Sequence, residues 1–320
     1  MDSVVAASHD ALSRGSKSFG AAARLFDRRT RESVYMLYAW CRHCDDVIDG
    51  QVLGFRPPAA SDPSPGRMAN DLADSPAERL ATLRRETARA LAMEAVTDPV
   101  FVAFQRVVSM HAIPSRYPLE LLEGFAMDVA GRRYETLEET LVYCYHVAGV
   151  VGIMMSMVMG ATEQRTLDRA CDLGIAFQLT NIARDVIEDA RVDRVYLPRS
   201  WLAAAGVAEN AMTERAMRPR IAGVTRQLLA EADRYYRSAQ VGLAHLPWRS
   251  AWAIAAALRI YRAIGIDVVS RGPGAWDERV RVGGPRKVVF AALGGLDALR
   301  AQVDPNRGRD LPRTGLWTRT

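Results

Sequence analysis

Two pairs of carboxylates, each spaced by one helical turn, are the residues of this sequence best suited to chemistry. Asp45 and Asp49 lie four positions apart in one apolar segment, and Asp185 and Asp189 do so in another, where Asn181 extends the series. At about 100° per residue, positions i, i+4 and i+8 share one face of an α-helix. Carboxylates on a largely buried helix are costly unless they are paired or bound to metal. The two acidic faces therefore predict a site for cations.

A solvated acidic face is the alternative interpretation of the second segment. In that case Arg184 and Arg191 pair with neighbouring acids, and no site is needed. The same spacing in a segment more than a hundred residues earlier favours two helices that face each other across a site. Asp46 is acidic too, but it points about 100° away from the face of Asp45 and Asp49 and ranks below that pair.

Divalent cations and a diphosphate fit such a site chemically. Mg²⁺ accepts a few carboxylates and completes its octahedron with water and phosphate oxygens, and Mn²⁺ is the alternative ion. Two or three ions would separate acids whose mutual repulsion otherwise raises their pKa values. The ions would also stabilise the negative charge that develops on a departing diphosphate. The acidic helices therefore predict diphosphate chemistry.

A short segment near the start, residues 14–20, is rich in hydrogen-bond donors. Ser16, Lys17 and Ser18 lie between two glycines, and their hydroxyl, ammonium and backbone N–H groups are the donors that a diphosphate needs. A turn between two helices, with serines as caps, is the alternative. Local sequence alone favours that alternative.

An uncharged segment, residues 147–159, predicts a buried helix. Its 13 residues are too few to span a bilayer as a helix. Gly149 and Gly152 lie three positions apart on one side, at a cost of about 1 kcal/mol each relative to alanine, so something presses close there. The neighbour is either another helix or a long apolar ligand, which the methionines of the segment would line.

Composition and periodicity predict a single all-α domain over residues 1–300. Amphipathic helical segments follow one another from about residue 8 to residue 269 without the alternation of a strand. The proline-rich residues 54–75 predict a flexible surface loop, and the polar residues 301–320 predict a disordered tail. The four cysteines predict reduced, buried thiols rather than disulfides.

Charge and the first residues bear on partners and location. The chain has a formal net charge of +5 and a pI near 9.2, and its basic residues are scattered among acids. This pattern favours anionic small molecules or lipid headgroups and excludes a nucleic-acid partner. No basic segment followed by an apolar one opens the chain. We therefore expect a cytoplasmic protein with peripheral membrane contact.

Five strings carry a resemblance to a known family: SKSF (16–19), YAWCRHCDDVID (38–49), YCYHVAGVVG (143–152), LGIAFQLTNIARDVIED (173–189) and RVYLP (194–198). They resemble the squalene/phytoene synthase family, its bacterial phytoene synthases above all, over roughly residues 8–290. The resemblance implies the isoprenoid synthase fold, a single helical bundle around a central hydrophobic cavity. It also implies an alkyl transferase that joins two geranylgeranyl diphosphates head to head. The product is phytoene, formed through prephytoene diphosphate with release of two diphosphates in the first committed step of carotenoid biosynthesis.

The resemblance also assigns roles to residues of this sequence. It implies that the Mg²⁺ ligands are Asp45, Asp49, Asn181, Asp185 and Asp189. It places in a flap over the diphosphate Ser16, Ser18 and Phe19. It places around the diphosphates and the carbocation Tyr38, Arg42, Tyr143, Gln178, Arg184 and Tyr261, and along the prenyl chain Val147 and Gly152. Four acids and four further residues form the catalytic set: Asp45, Asp49, Asp185, Asp189, Tyr38, Arg42, Tyr143 and Arg184.

Three alternatives remain open at this point. A dehydrosqualene synthase performs the same condensation on farnesyl chains, and the difference would lie at the pocket floor. A squalene synthase adds an NADPH reduction and a C-terminal membrane anchor, whereas this polar C-terminal sequence argues against that type, so no NADPH is expected. A non-catalytic prenyl-diphosphate-binding or assembly protein is the third alternative, against which the retained acids count. Neighbouring carotenoid-pathway enzymes are further expected partners.

Overall fold

The computed structural model describes residues 3–15, 17–50, 75–304 and 311–319, and for Lys17–Phe19 the backbone alone. Within these ranges the chain forms thirteen α-helices and no strand, which confirms the predicted all-α class. The helices are α1 (Ser3–Gly15), α2 (Lys17–Ala23), α3 (Arg28–Asp49), α4 (Pro76–Leu91), α5 (Pro99–His111), α6 (Arg116–Val129), α7 (Leu137–Cys144), α8 (Val150–Val158), α9 (Gln164–Arg191), α10 (Arg199–Ala204), α11 (Arg218–Gly242), α12 (Trp248–Arg271) and α13 (Gly284–Val303).

Helices α3 and α9 carry the two acidic motifs. Helix α3 begins after Asp27, whose side chain accepts a hydrogen bond from the Thr30 N–H, and it ends at Gly50, whose φ of 62° suits glycine. Helix α9 has 28 residues and packs against α8, α11 and α12. Its apolar positions, from Leu167 to Ile187, are buried on several sides. The second acidic motif thus lies on the central helix of the bundle.

Helices α7 and α8 are joined by a π-helical turn, Tyr145–Gly149, into one helical run. The run Leu137–Val158 is long and apolar enough to cross a membrane by length and composition, but 61% of its most apolar window is buried inside the protein. A core helix explains this burial. The sequence did not predict the π turn.

The glycines of this run mark a close helix crossing. A Cβ atom at Gly152 would lie 2.3 Å from the Ala170 carbonyl oxygen of α9, and one at Gly174 would lie 2.1 Å from the Ala148 carbonyl oxygen. Backbone therefore touches backbone on both sides of the crossing. Of the two neighbours that the sequence left open at Gly152, the structure supplies another helix.

The C-terminal part differs from the prediction of a disordered tail over residues 301–320. Helix α13, which the periodicity did not reveal, packs along α12 and continues to Val303. Residues 311–319 pack on the bundle, where Arg313 forms an ion pair with the fully buried Asp172. A buried counter-charge explains why an arginine-rich segment is ordered here. The predicted loop at 54–75 lies outside the described residues except for Ser75, the N-cap of α4.

The cysteines follow the prediction. All four are free thiols, and three of them, Cys44, Cys144 and Cys171, are buried. Cys41 is partly buried and borders the interior cavity, where burial raises the pKa of its thiol to about 12. Neutral thiols suit an apolar interior.

Candidate active site

A cavity of about 860 Å³ runs through the bundle beside α9. Its volume lies toward the upper end of the range for small-molecule sites, about 300–1,000 Å³. It brings together residues from helices that are far apart in the sequence. The predicted site residues that line it are Tyr38, Arg42, Asp45, Tyr143, Val147, Gly152, Gln178, Asn181, Arg184 and Tyr261. Of the five predicted metal ligands, one from each motif, Asp45 and Asn181, lines the cavity.

In the first acidic motif, an arginine of the same helix forms ion pairs with two carboxylates. Arg42 spans two carboxylates, with Nη1 3.1 Å from Asp45 and Nη2 2.9 Å from Asp46. Asp46 is buried and, unlike Asp45, does not line the cavity. Burial raises the pKa of Asp45 to about 6; Arg42 opposes this rise, and Asp49 adds to it. Asp45 thus faces the cavity, and burial destabilises its ionised form.

The second acidic motif contains one carboxylate held by two arginines. Arg184 forms a two-pronged ion pair with Asp185, and Arg279 Nη2 lies 2.8 Å from Asp185 Oδ2. Burial, and then the charge of Asp185, raise the pKa of Asp189 to about 8. Asn181 donates to Gln178 at 3.3 Å, while its buried Oδ1 atom has no hydrogen-bond partner. An acceptor that is buried without a donor is costly.

Arg194 connects the two motifs. Its Nη2 atom lies 2.5 Å from Asp49 Oδ1, and its charge opposes the rise that burial causes in the pKa values of Asp128 and Asp189. Asp49, Asp185 and Asp189 do not line the cavity, and two of these three are held by arginines. The arginines supply the positive charge that the acids require in this arrangement.

These residues fit divalent cations by their chemistry. Among the described residues, no three His, Cys, Asp or Glu side chains lie close enough to hold an ion as they stand. The unpartnered Oδ1 atom of Asn181 and the raised pKa values of Asp45 and Asp189 are nevertheless what a hard cation relieves, because it binds oxygen and favours the ionised carboxylate. Asp45 and Asn181 already face the cavity, whereas Asp49 and Asp185 would exchange arginine for metal.

A carboxylate that the sequence analysis did not single out also faces this end of the cavity. Asp128 on α6 accepts hydrogen bonds from Tyr143 at 3.1 Å and from Tyr196 at 2.9 Å, and the two rings stack 4.6 Å apart. Burial raises the pKa of Asp128 to about 6, which Arg194 and the two tyrosines oppose. Its position on the same helix face as Leu121, Gly124 and Phe125 was the available signal, because a lone acid on a buried face needs partners.

The rest of the cavity is mostly apolar. Phe177 and Tyr261 stack with their ring centroids 4.1 Å apart, and both line the cavity. Further along, its walls are formed by Val151, Met155, Met159, Leu173, Leu243, Leu246, Ile254 and Ile264. The predicted flap residues are not placed in this way, because Ser16 and the side chains of Ser18 and Phe19 lie outside the described part of the chain. The cavity can therefore take a ligand with one anionic end and a long hydrocarbon chain.

An all-α bundle around an apolar cavity with acids and arginines at one end defines the class of helical isoprenoid synthases. Comparison with known proteins gives the family within that class. The chain belongs to the squalene/phytoene synthase family, whose model matches residues 12–286. This confirms the family that the sequence motifs predicted.

Named relatives and solved structures agree with this assignment. A 15-cis-phytoene synthase of a Paracoccus species is 47% identical over 319 residues, which cover 100% of this chain and 99% of the relative. A 15-cis-phytoene synthase of Enterobacter agglomerans is 48% identical and covers 95% and 98%. A solved dehydrosqualene synthase with a bound ligand has a TM-score of 0.79 at 26% identity and covers 93% and 97%. A squalene synthase of Alicyclobacillus acidocaldarius, at 22% identity and a TM-score of 0.66, shares the fold.

Proposed function

We propose that this chain is the enzyme that condenses two molecules of geranylgeranyl diphosphate into phytoene, the first committed step of carotenoid biosynthesis. The observation that carries the proposal is the shared cavity, in which Asp45 of one motif and Asn181 of the other meet Arg42 and Arg184 at the end of an apolar chamber. Full-length relatives named phytoene synthase, at 47% to 49% identity, support the choice of reaction.

The polar end would bind the diphosphates. We assign divalent metal, Mg²⁺ with Mn²⁺ as the alternative, to Asp45, Asp49, Asn181, Asp185 and Asp189. Two or three bound ions would supply Lewis-acid stabilisation of the departing diphosphate. With metal on the acids, the guanidinium groups of Arg42, Arg184 and Arg279 would be free to donate hydrogen bonds to diphosphate oxygens. No nicotinamide cofactor is required for this reaction.

The remaining walls would protect the cation that is left behind. The first C–O bond that breaks gives its electron pair to diphosphate and leaves an allylic carbocation, which the second prenyl chain captures with loss of a proton. The second C–O bond to break, that of prephytoene diphosphate, leaves a cyclopropylcarbinyl carbocation, which loses a proton after rearrangement to give phytoene. Tyr143, Phe177 and Tyr261 border the cavity, and aromatic rings attract cations. The apolar side chains beyond them exclude water, which would otherwise capture the cation as an alcohol.

The decisive experiment supplies purified protein and Mg²⁺ with farnesyl diphosphate or geranylgeranyl diphosphate separately, without NADPH, and identifies the hydrocarbon by mass. Phytoene from the geranylgeranyl substrate is the expected result. Dehydrosqualene alone, from the farnesyl substrate, would reassign the protein to the reaction named for its solved structural neighbour. Binding of both substrates without any hydrocarbon product would favour a non-catalytic prenyl-diphosphate-binding protein.

We also propose that the protein works at a membrane surface, which it contacts through α13. The outward face of this helix carries Val288, Leu296, Leu299 and Val303, which are 71%, 48%, 50% and 76% exposed. With Val289 and Ala292 they fall within an arc of about 100°, so the helix presents one continuous apolar stripe to solvent. The stripe begins beside Lys287, which lines the cavity. A hydrocarbon product and a net charge of +5 suit an anionic lipid surface.

Flotation with vesicles that contain anionic lipid tests this placement. The wild-type protein is expected to float at low salt, and a Leu296→Glu, Leu299→Glu double variant to stay at the bottom of the gradient. Leu119→Glu is the matched control, because Leu119 is 41% exposed but lies on α6 outside the stripe. A wild-type protein that does not float, or a double variant that floats as well as the wild type, would reject the proposal.

A further inference from the structure

The segment Leu311–Arg319, here called the C-terminal strap, is bound to the bundle by several specific contacts. Arg313 makes two hydrogen bonds to Asp172, at 2.9 and 2.8 Å. The Trp317 N–H donates to the Tyr235 hydroxyl at 3.0 Å, and the Trp317 ring lies 4.6 Å from that of Tyr145. The strap therefore joins α9, α11 and the π turn at one end of the molecule.

One residue of the cavity is held by this strap. Arg169 on α9 lines the cavity, and its Nη2 atom donates to the carbonyl oxygen of Leu311 at 2.6 Å. Its Nη1 atom donates to the Ser238 hydroxyl at 2.5 Å, and that hydroxyl in turn donates to Asp172. Arg169, Ser238, Asp172 and Arg313 thus form a continuous network, in which two positive charges flank a fully buried carboxylate.

Arg169 occupies the end of the cavity that is remote from the two acidic motifs. Fifteen residues of α9 separate it from Arg184, which is about 22 Å at 1.5 Å per residue. Thr166, Gly242, Leu243 and Leu246 line the same cavity. The Cβ and Cγ atoms of Arg169 lie against Gly242, where an added Cβ would be 2.9 Å from the first of them. The stem of Arg169 therefore forms part of the wall at this end of the cavity, while its guanidinium is turned toward the strap.

We propose that the C-terminal strap fixes Arg169 as the floor of the cavity and thereby limits the length of the prenyl chain that the enzyme accepts. The inference rests on the proposed function, since it concerns the substrate of the same site. Without the Leu311 carbonyl and the Arg313–Asp172 pair, Arg169 would lose the partners that hold its charged end out of the cavity. Arg169 would then be a specificity-determining residue, and Arg313 a positioning residue that acts through it.

The test compares geranylfarnesyl diphosphate, one isoprene unit longer than geranylgeranyl diphosphate, with the shorter substrate. The measured quantity is the ratio of their kcat/KM values, with products identified by mass. Arg169→Ala removes the floor and is expected to raise this ratio by about tenfold or more, the effect of added room in an apolar pocket. Arg165→Ala is the matched control, because Arg165 lies one turn earlier on α9, is exposed and pairs with Glu163. The control ratio should equal that of the wild type.

Two further variants test the direction of the effect and the role of the strap. Gly242→Ala places a methyl group against Arg169 and is expected to favour farnesyl over geranylgeranyl diphosphate. Arg313→Lys keeps the charge beside Asp172 but loses the paired hydrogen bonds, and it is expected to lower the ratio, because a guanidinium released from the strap enters the cavity and shortens it. If Arg169→Ala does not fold by circular dichroism, Gly242→Ala decides the role of the floor.

Each outcome has a defined meaning. A folded Arg169→Ala protein whose ratio stays within about twofold of wild type overturns the inference. A raised ratio in Arg169→Ala with an unchanged ratio in Arg313→Lys overturns the role of the strap. If the wild-type protein makes no product, the proposed function fails. Calorimetric binding of unreactive thiodiphosphate analogues of the two chain lengths to the same variants then still decides whether Arg169 limits chain length.

Discussion

Arginine side chains occupy the positions beside the acids that metal and diphosphate would otherwise fill. Arg194 holds Asp49, and Arg184 and Arg279 hold Asp185. Removing one member of a buried ion pair leaves an uncompensated charge, so the acids are stable only with a cation of some kind. This exchange of partners suits a site that must form and release its ligands in every turnover.

Replacing the central acid of the second motif should abolish turnover. Asp185→Asn removes a metal ligand but keeps the size of the side chain, so we expect a folded helical protein whose kcat with Mg²⁺ falls by at least about a thousandfold. Glu188→Gln on the same helix is the control, since Glu188 is half exposed and does not line the main cavity. Hydrocarbon formation by Asp185→Asn at a near-normal rate would refute the assignment of the acids.

The raised pKa of Asp128 predicts a pH-dependent stability. The folded-state pKa, about 6, exceeds the ordinary value of about 3.9, so the stabilising contribution is complete below pH 4 and is lost as pH rises through 6. Asp128→Asn should not show this loss. The free energy of unfolding of the variant relative to wild type should therefore rise between pH 4 and pH 7, by at most about 3 kcal/mol.

Urea denaturation of both proteins at several pH values, in the presence of a chelator, measures this difference. The other buried acids are common to both proteins, so their titration largely cancels in the comparison. A difference that stays constant from pH 4 to pH 7 would show that Asp128 titrates normally.

At the scale of the element, the close crossing of α8 and α9 depends on glycine. Gly174→Ala would gain helix propensity of about 1 kcal/mol but would place a Cβ 2.1 Å from a backbone oxygen that has little room to move. We expect a net loss of about 1–3 kcal/mol in the free energy of unfolding. Gly223→Ala in α11, where an added Cβ meets nothing within 4 Å, should instead stabilise by about 0.4–1 kcal/mol. Chemical denaturation measures the stability of both variants. A shift in the same direction for the two variants would contradict this explanation.

Helical spacing explains why the sequence predicted some elements and not others. The faces of α3 and α9 are local patterns, so Asp45 and Asn181 could be placed before the fold was known. Arg194 and Asp128 depend on partners from other helices, which spacing along one helix does not reveal. Helix α13 was missed because Gly294 and Gly295 lower its intrinsic helix propensity. A Cβ at Gly294 would lie 2.7 Å from the Ala256 nitrogen, so packing on α12 requires that residue and overrides the local preference.

At the scale of the molecule, metal binding should be measurable without turnover. If Mg²⁺ binds the folded protein alone, a concentration of about 100 times its Kd adds about 2.7 kcal/mol and raises Tm by about 5 °C. An excess of EDTA should reverse the increase. Asp193→Asn should respond like wild type, because the Asp193 side chain is 93% exposed, whereas Asp185→Asn should respond less. Equal responses of both variants would show that Mg²⁺ acts elsewhere.

The number of residues in the π turn, Tyr145–Gly149, sets the rotation of α8 about its axis. A π turn contains one residue more than an α-helical turn, so the residues after it are rotated by about 100° relative to an unbroken α-helix. Deleting any one of the five would let an α-helix form and would rotate α8 by that angle. Val151 and Met155 would then leave the cavity wall, and Gly152 would leave the crossing with α9. We therefore expect the π turn to tolerate the substitution of a residue better than its deletion.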